Sequence, residues 1–313
     1  MAFPDFRSVK PTADQLVEHN PNARRLICMH AGIPAAVSLV LTVMSYLLSK
    51  QVEGTGGLGG LGPRSILESA QSMLQLLNMI FTLFWGYGLY RIAMNWSRGE
   101  RAWDADLLAG FHHIGPILRT ALLKILLYSG VVILALQLSA ILFSMTPLAG
   151  DITALAQQLM EDPDFMPTEA QILEATRAYM PFLVIVMVVL LVPVFYRLRL
   201  AEFIVMDMPE KGAAHALRFS TKLMRGNCWK LLKFDLGFWW FYLLEVLVVC
   251  LFYGDWIVEW LGIDLGLSAD MLFFMFCIVG LAAQTALYIW RKNQIMTAYA
   301  LVYRELLPPQ EEQ

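Results

Sequence analysis

Residues Tyr196 to Leu244 read YRLRLAEFIVMDMPEKGAAHALRFSTKLMRGNCWKLLKFDLGFWWFYLL. An apolar segment passes into a basic amphipathic stretch and then into a second apolar segment. Lys211, His215, Arg218, Lys222 and Arg225 recur at steps of four, three, four and three, so on a helix they form one basic stripe. Ala213, Ala216, Leu217, Ser220 and Met224 make the opposite stripe, which is small and apolar. Pro209 suits the first turn of such a helix and Gly226 the position just past its end. A helix of this kind, set between two hydrocarbon runs, is expected to lie on a membrane surface rather than to cross it.

The rest of the chain agrees. Of its 313 residues 58% are hydrophobic and only 16% charged, with mean hydropathy +0.57. Apolar runs of about 20 residues are long enough to cross a ~30 Å hydrocarbon core. They are continuous rather than alternating, which excludes a porin-like barrel. The expected fold is therefore all-α: a polytopic membrane protein of six transmembrane helices with two cytoplasmic amphipathic elbow helices. The expected spans are Leu26–Leu48, Met73–Met94, Ile117–Met145, Pro181–Tyr196, Leu232–Tyr253 and Met271–Trp290.

Around these spans the chain divides into an N-terminal tail (1–25), a transmembrane domain (26–306) and a C-terminal tail (307–313). External loops are expected at 50–64, 148–178 and 254–270, and cytoplasmic elbows at 97–116 and 207–230. The tail is polar and carries Pro4, Pro11 and Pro21, unlike a cleavable signal peptide. Ser65 with Glu68, and Thr168 with Gln171, have capping-box spacing at the starts of the second and fourth helices. Asp104 is placed to cap a short helix whose Leu107, Leu108 and Phe111 face the bilayer. The helix–elbow–helix order occurs twice in the same direction, a parallel internal repeat of layout.

Orientation follows from basic residues. With the N-terminus inside, the inside segments hold 4, 5, 8 and 3 Lys and Arg, which is 20 of the chain's 23. Only Lys50, Arg64 and Arg177 fall outside, so both termini are expected in the cytoplasm. The external loop at 148–178 is acidic, with Arg177 its single basic residue.

Few motifs point to chemistry. The glycine-rich segment QVEGTGGLGGLGP at 51–63 lacks the GxxxxGK[ST] pattern of a phosphate-binding loop and reads as a flexible linker. His112 and His113 are adjacent, so on a helix they diverge by about 100° and have no third ligand at metal-site spacing. The four cysteines show no CxxC pairing and read as free, buried thiols. There is no HExxH or GxSxG motif and no nucleotide-binding signature. No catalytic residue, metal, cofactor or nucleic-acid partner is expected.

Glu245 stands apart because it falls within the run WWFYLLEVLVVCLF. A carboxylate in hydrocarbon is costly, so it should face other helices, with Asn78, Gln137 and Gln284 the polar side chains available to it. An interhelical hydrogen bond of about 1 kcal/mol is the simple reading; a proton or substrate site is the functional one. Asp207, Glu202 and Asp235 are expected to form ion pairs with nearby Arg197, Arg199, Lys230 and Lys233.

Three stretches, Y-x-L-x-x-A-E-F-I-V-M-D-M-P from Tyr196, A-L-R-F-S-T-K-L-M-R-G-N from Ala216 and K-L-L-K-F-D-L-G-F-W-W from Lys230, resemble a family of uncharacterised bacterial multi-helix integral membrane proteins. That family is distantly like the membrane domain associated with glycerophosphodiester phosphodiesterases. Asp207, Pro209, Ser220, Met224, Gly226, and Trp239 or Trp240 carry the resemblance, with Tyr299 and Tyr303 as its closing aromatic pattern. It covers about 181–306 and implies a multi-pass protein of a bacterial plasma membrane. It implies no reaction.

Two function classes follow. The first is a non-enzymatic protein acting through lipid or protein association at the inner leaflet. In it Lys211, His215, Arg218, Lys222 and Arg225 meet anionic headgroups or an unidentified protein partner. The alternative is a secondary transporter or small-solute permease, which should bring Glu245, Asn78 and Gln284 around one mid-membrane cavity. A lipid-active enzyme would instead cluster Asp104, Asp106, His112 and His113.

Overall fold

The computed structural model describes residues 3–54, 63–147, 149–150, 160–161, 168–260, 266 and 268–308. Among them the chain is helical throughout, without a strand. Four helices are long and apolar enough to cross a membrane: Ala23–Lys50, Ile114–Ser144, Thr176–Asp207 and Asp270–Leu306. The pair Cys228–Leu236 and Trp239–Phe252 makes a fifth if counted as one span. Large aliphatic side chains point outward from these helices, with Leu126 68% and Ile185 63% exposed. A surface of that kind calls for hydrocarbon around it rather than water.

The helices used below are α1 (Phe6–Glu18), α2 (Ala23–Gly54), α3 (Pro63–Ser97), α4 (Ile114–Ser144), α5 (Glu169–Leu198), α6 (Ala201–Asp207), α7 (Gly212–Leu223), α8 (Cys228–Leu236), α9 (Trp239–Phe252), α10 (Gly254–Trp260), α11 (Ala269–Leu287) and α12 (Asn293–Leu306). A π-helical turn, Tyr288–Lys292, joins α11 to α12.

The expected six spans become four, or five with the bent pair. The second expected span lies in α3, which is 35 residues long but diluted by Gln71, Gln75, Asn78, Tyr87 and Tyr90, and so is not among the apolar helices. The fifth, expected as one helix, is bent by 71° between α8 and α9. The cause is local. The ring of Phe6, from α1, lies 5.5 Å from Phe234 and 4.9 Å from Phe238, in the space a Cβ on Gly237 would occupy.

Phe6 also shows that residues 1–25 are not merely a tail. Val9, Ala13 and Val17 are spaced for one face of α1, and all three are buried. The C-terminal stretch is likewise more than an amphipathic end. Helix α12 is the centre of the main core: Ile295, Ala298, Tyr299, Val302 and Tyr303 are buried against Leu200, Phe203, Ile204 and Met206 of the α6 region and against Ala93 and Met94 of α3.

Close backbone approach seats the segment 104–112 on α3. A Cβ on Gly88 would collide with the Leu107 carbonyl, and one on Gly110 with the Phe84 carbonyl. Leu107 is consequently buried and Phe111 packs inward, so of the three residues expected to face the bilayer only Leu108 is exposed. Asp104 caps nothing there and pairs with Arg25 at 2.6 Å. Asp106 instead accepts from the Trp103 backbone N–H at 2.7 Å and from Asn95 at 3.1 Å.

Other expectations change as well. Helix α3 begins at Pro63, so Ser65 lies inside it rather than at its cap. Cys28 and Cys250 are exposed on the outer surface rather than buried, although all four thiols are free. Pro181 and Pro193 lie within α5, which runs on through both. Most of the glycine-rich linker (55–62) and of the acidic loop (151–159 and 162–167) lies outside the described residues, as do the side chains at 169–175 beside Thr168.

Asp207 and Glu202 form ion pairs with other partners than expected, and Asp235 takes hydrogen bonds instead. Asp207 binds Arg98 and accepts from Tyr303 at 3.1 Å. Glu202 binds Lys124, and Asp235 accepts from Tyr196 at 2.8 Å and from Tyr299. Partial burial disfavours the Arg98 charge, but the hydrogen bond and charge of Asp207 outweigh it and hold the guanidinium above its ordinary value. Arg304 donates to the Ser97 carbonyl. The ends of α3, α6 and α12 are thus tied together at one rim.

Candidate functional site

Two rows of polar side chains face each other where α2 meets α3. On α2 they are Ser38, Thr42, Ser45 and Ser49; on α3 they are Gln71, Gln75, Asn78 and Thr82. Both rows advance by four, three and four residues, the spacing that keeps side chains on one face of a helix. Helix α11 closes the third side with Phe273, Gln284 and Thr285.

Two open cavities lie along the rows. One, of about 410 Å³, is lined by Thr42, Ser45, Ser49, Gln71, Gln75 and Asn78. The other, of about 460 Å³, carries His30, Trp85, Arg199, Gln284 and Lys292 on its wall, together with Ser38 and Asn78. Asn78 lines both. Its side-chain carbonyl accepts from the Ser38 hydroxyl at 3.0 Å, a hydrogen bond that stands between the two chambers. From His30 to Ser49 the seam follows 19 residues of α2, or about 28 Å at 1.5 Å per residue, close to the ~30 Å of a hydrocarbon core. At the far end Lys50 pairs with Asp270 at 3.1 Å.

The His30 end is basic. Lys292 Nζ sits 2.7 Å from Glu245 Oε1 and 5.0 Å from the Tyr288 ring centroid. The Arg199 guanidinium lies 4.7 Å from the Tyr299 ring and 5.2 Å from Phe195, and makes no ion pair among the described residues. His30 is 7% exposed, and neither ring nitrogen has a partner. Trp85 donates to the His30 carbonyl at 3.0 Å and holds that turn of α2 in place. Hydroxyls, amides and cations in apolar surroundings are what a polar solute needs in exchange for its water.

Of the residues singled out in the sequence, Asn78 and Gln284 share the basic chamber, and Gln284 donates to Tyr288 at 3.4 Å. Glu245 does not line it but binds Lys292, which does. It is therefore an ion-pair partner rather than a lone carboxylate. Gln137 is exposed on α4 and takes no part. The hydroxyl row and the two glutamines went unremarked in the sequence, although polar residues at 38, 42, 45 and 49, and at 71, 75, 78 and 82, are a readable signal.

The basic stripe runs along α7, with Lys211 just before the helix and Arg225 just after it. Lys211, Arg218, Lys222 and Arg225 are exposed and unpaired among the described residues, and Ala213, Ala216, Leu217, Ser220 and Met224 are buried. His215 is half-buried, its ring stacked 5.5 Å from Phe219. Beside α7 an apolar groove of about 1030 Å³ is walled by Val188, Val189, Val192 and Leu232, with Arg197 and Arg225 also on its lining. His112 Nδ1–H donates to the Leu108 carbonyl, 2.9 Å away, and among the described residues no three His, Cys, Asp or Glu side chains gather as a metal would require.

No family model, curated protein or solved structure matches the chain. The family resemblance thus rests on its quoted residues, and these have structural work. Asp207 and Tyr303 bind each other, Ser220 donates to the Arg197 carbonyl at 2.8 Å, Met224 is fully buried and Gly226 has φ +81°. Gly226 needs the left-handed region that glycine enters without cost.

Proposed function

We propose that the chain is a multi-pass protein of a bacterial plasma membrane that passes a small polar solute along the seam of α2, α3 and α11. The two chambers meeting at Asn78 carry this reading, because largely half-buried polar rows facing each other between apolar helices, extended by His30 to about the depth of a bilayer, give a polar solute a path. In this reading both termini are cytoplasmic, α3 completes six spans despite its polarity, and the segments 97–116 and 207–230 lie at the inner leaflet. The Ser38–Asn78 hydrogen bond is the constriction between the two sides. The test is cysteine accessibility in membranes, in a variant with Cys28, Cys228, Cys250 and Cys277 replaced. A charged, membrane-impermeant thiol reagent should label cysteines placed at Ser38, Ser45 and Gln75 and spare those at Val40 and Leu47 on the outward face of α2. Failure to label any seam position removes the proposal.

A second reading is favoured by the exposed, unpaired stripe of α7 beside the apolar groove. Here the cytoplasmic face holds anionic phospholipid, with acyl chain along Val188, Val189 and Leu232 and headgroup near Arg197 and Arg225. This lipid association is compatible with solute passage and acts on a different surface.

A further inference from the structure

The seam is chemically lopsided. One chamber offers only hydroxyls, amides and an aromatic wall, whereas the other sets Arg199 and Lys292 beside an unpartnered histidine. Glu245 offsets Lys292 at 2.7 Å and itself stays off the chamber wall. Arg199 has two aromatic faces and no carboxylate in ion-pair range among the described residues. Among the described residues no acidic side chain lines this chamber. Arg199 is half-buried and lies in the field of Asp235 without pairing with it, so its guanidinium can still meet a further anion.

We propose that the basic chamber binds an oxyanion, a carboxylate or phosphate carried on a small organic molecule, between Arg199, Lys292 and His30. The guanidinium supplies planar paired donors, Lys292 a point charge, and a His30 ring N–H a further donor where both nitrogens are otherwise idle. Trp85, Leu281 and Met296 on the same wall accept the organic part. Gln284, eight residues and about 12 Å from Lys292 by the 1.5 Å rise, and Asn78 beside it on the lining mark where the solute leaves the cations. This names the substrate class for the seam and rests on the reading that the seam holds a solute.

The experiment is binding to purified full-length protein in neutral detergent and chloride-free buffer, followed by calorimetry. Benzoate and phenyl phosphate are the anionic probes, benzamide and benzylamine their neutral and cationic counterparts, and phosphatidic acid in mixed micelles the lipid counterpart. Either anionic probe should bind at least tenfold more tightly than benzamide, with benzylamine weaker still. His30→Leu removes no side-chain hydrogen bond of the fold and should weaken the anion about tenfold, the value of one charge-assisted hydrogen bond. Arg199→Lys should weaken it further. Binding of phosphatidic acid with no binding of free phenyl phosphate supports the oxyanion chemistry and assigns it to a lipid headgroup. Equal binding of benzamide or benzylamine, or anion binding untouched by His30→Leu and Arg199→Lys, overturns the proposal. If the thiol reagent labels the seam while no anion binds, the passage reading stands and only the substrate class falls.

Discussion

Lys292 Nζ lies 2.7 Å from Glu245 Oε1, joining the π-helical turn before α12 to the middle of α9. Each side chain is about a quarter exposed, 26% for the lysine and 27% for the glutamate, so water screens the pair only in part. Removing one partner leaves the other charge uncompensated in apolar surroundings. Glu245→Gln and Lys292→Met should each lower thermal stability in detergent. The double variant should be more stable than the sum of the two losses implies, with a coupling of about 1 kcal/mol or more. Additive losses would show that the two charges do not support each other.

Asp235 is held by two phenols. Tyr196 donates to Oδ2 at 2.8 Å and Tyr299 to Oδ1, and Tyr299 also meets the Tyr242 hydroxyl at 3.0 Å. Hydrogen bonds to a charged group contribute about 1.5–3 kcal/mol each. Tyr299→Phe should therefore destabilise by at least that much and more than Tyr196→Phe, because it severs two links. Chemical denaturation of the three proteins orders them, and an equal effect of the two substitutions would contradict the arrangement.

At Gly88 the backbone of α3 touches the Leu107 carbonyl, and a methyl group there has no room. Overpacking of this kind costs about 1–3 kcal/mol. Gly88→Ala should lower the melting temperature accordingly. Gly130→Ala, in α4 with nothing within 4 Å, should leave it unchanged or raise it. Equal melting temperatures for the two variants would show that α3 and the 104–112 segment are not in contact.

The exposed stripe of α7 predicts lipid preference. Near an anionic surface each Lys or Arg contributes about 1 kcal/mol. Replacing Lys211, Arg218, Lys222 and Arg225 by Gln should deplete anionic phospholipid from the purified protein, measured by native mass spectrometry, and leave zwitterionic lipid in place. An unchanged lipid ratio would mean that the stripe faces water alone.

Much of the architecture was legible along the chain because hydrocarbon length and helical spacing are local properties. The apolar runs, the α7 stripe and its buried reverse face all follow from residues one to four places apart. Polarity within α3 was legible too, at Asn78, but its partners were not, since the row Ser38 to Ser49 acquires meaning only when α2 lies against it. The fate of Glu245 illustrates the same point. Its neighbours in sequence are all apolar, and the lysine that pairs with it is 47 positions away.

By itself, then, the sequence determined an all-helical chain with several segments long and apolar enough for a membrane, and one basic amphipathic helix. Only the tertiary structure decided that α12 is the centre of the core, that Phe6 of α1 packs at the bend between α8 and α9, and that Asp207, Ser220 and Met224 are held by contacts within the fold. It also decided that Arg199, Lys292 and His30 line one cavity. The physical reason is that burial and charge pairing depend on what crosses in space. A polar or basic residue in an oily run announces a cost, and the fold alone says which partner offsets it.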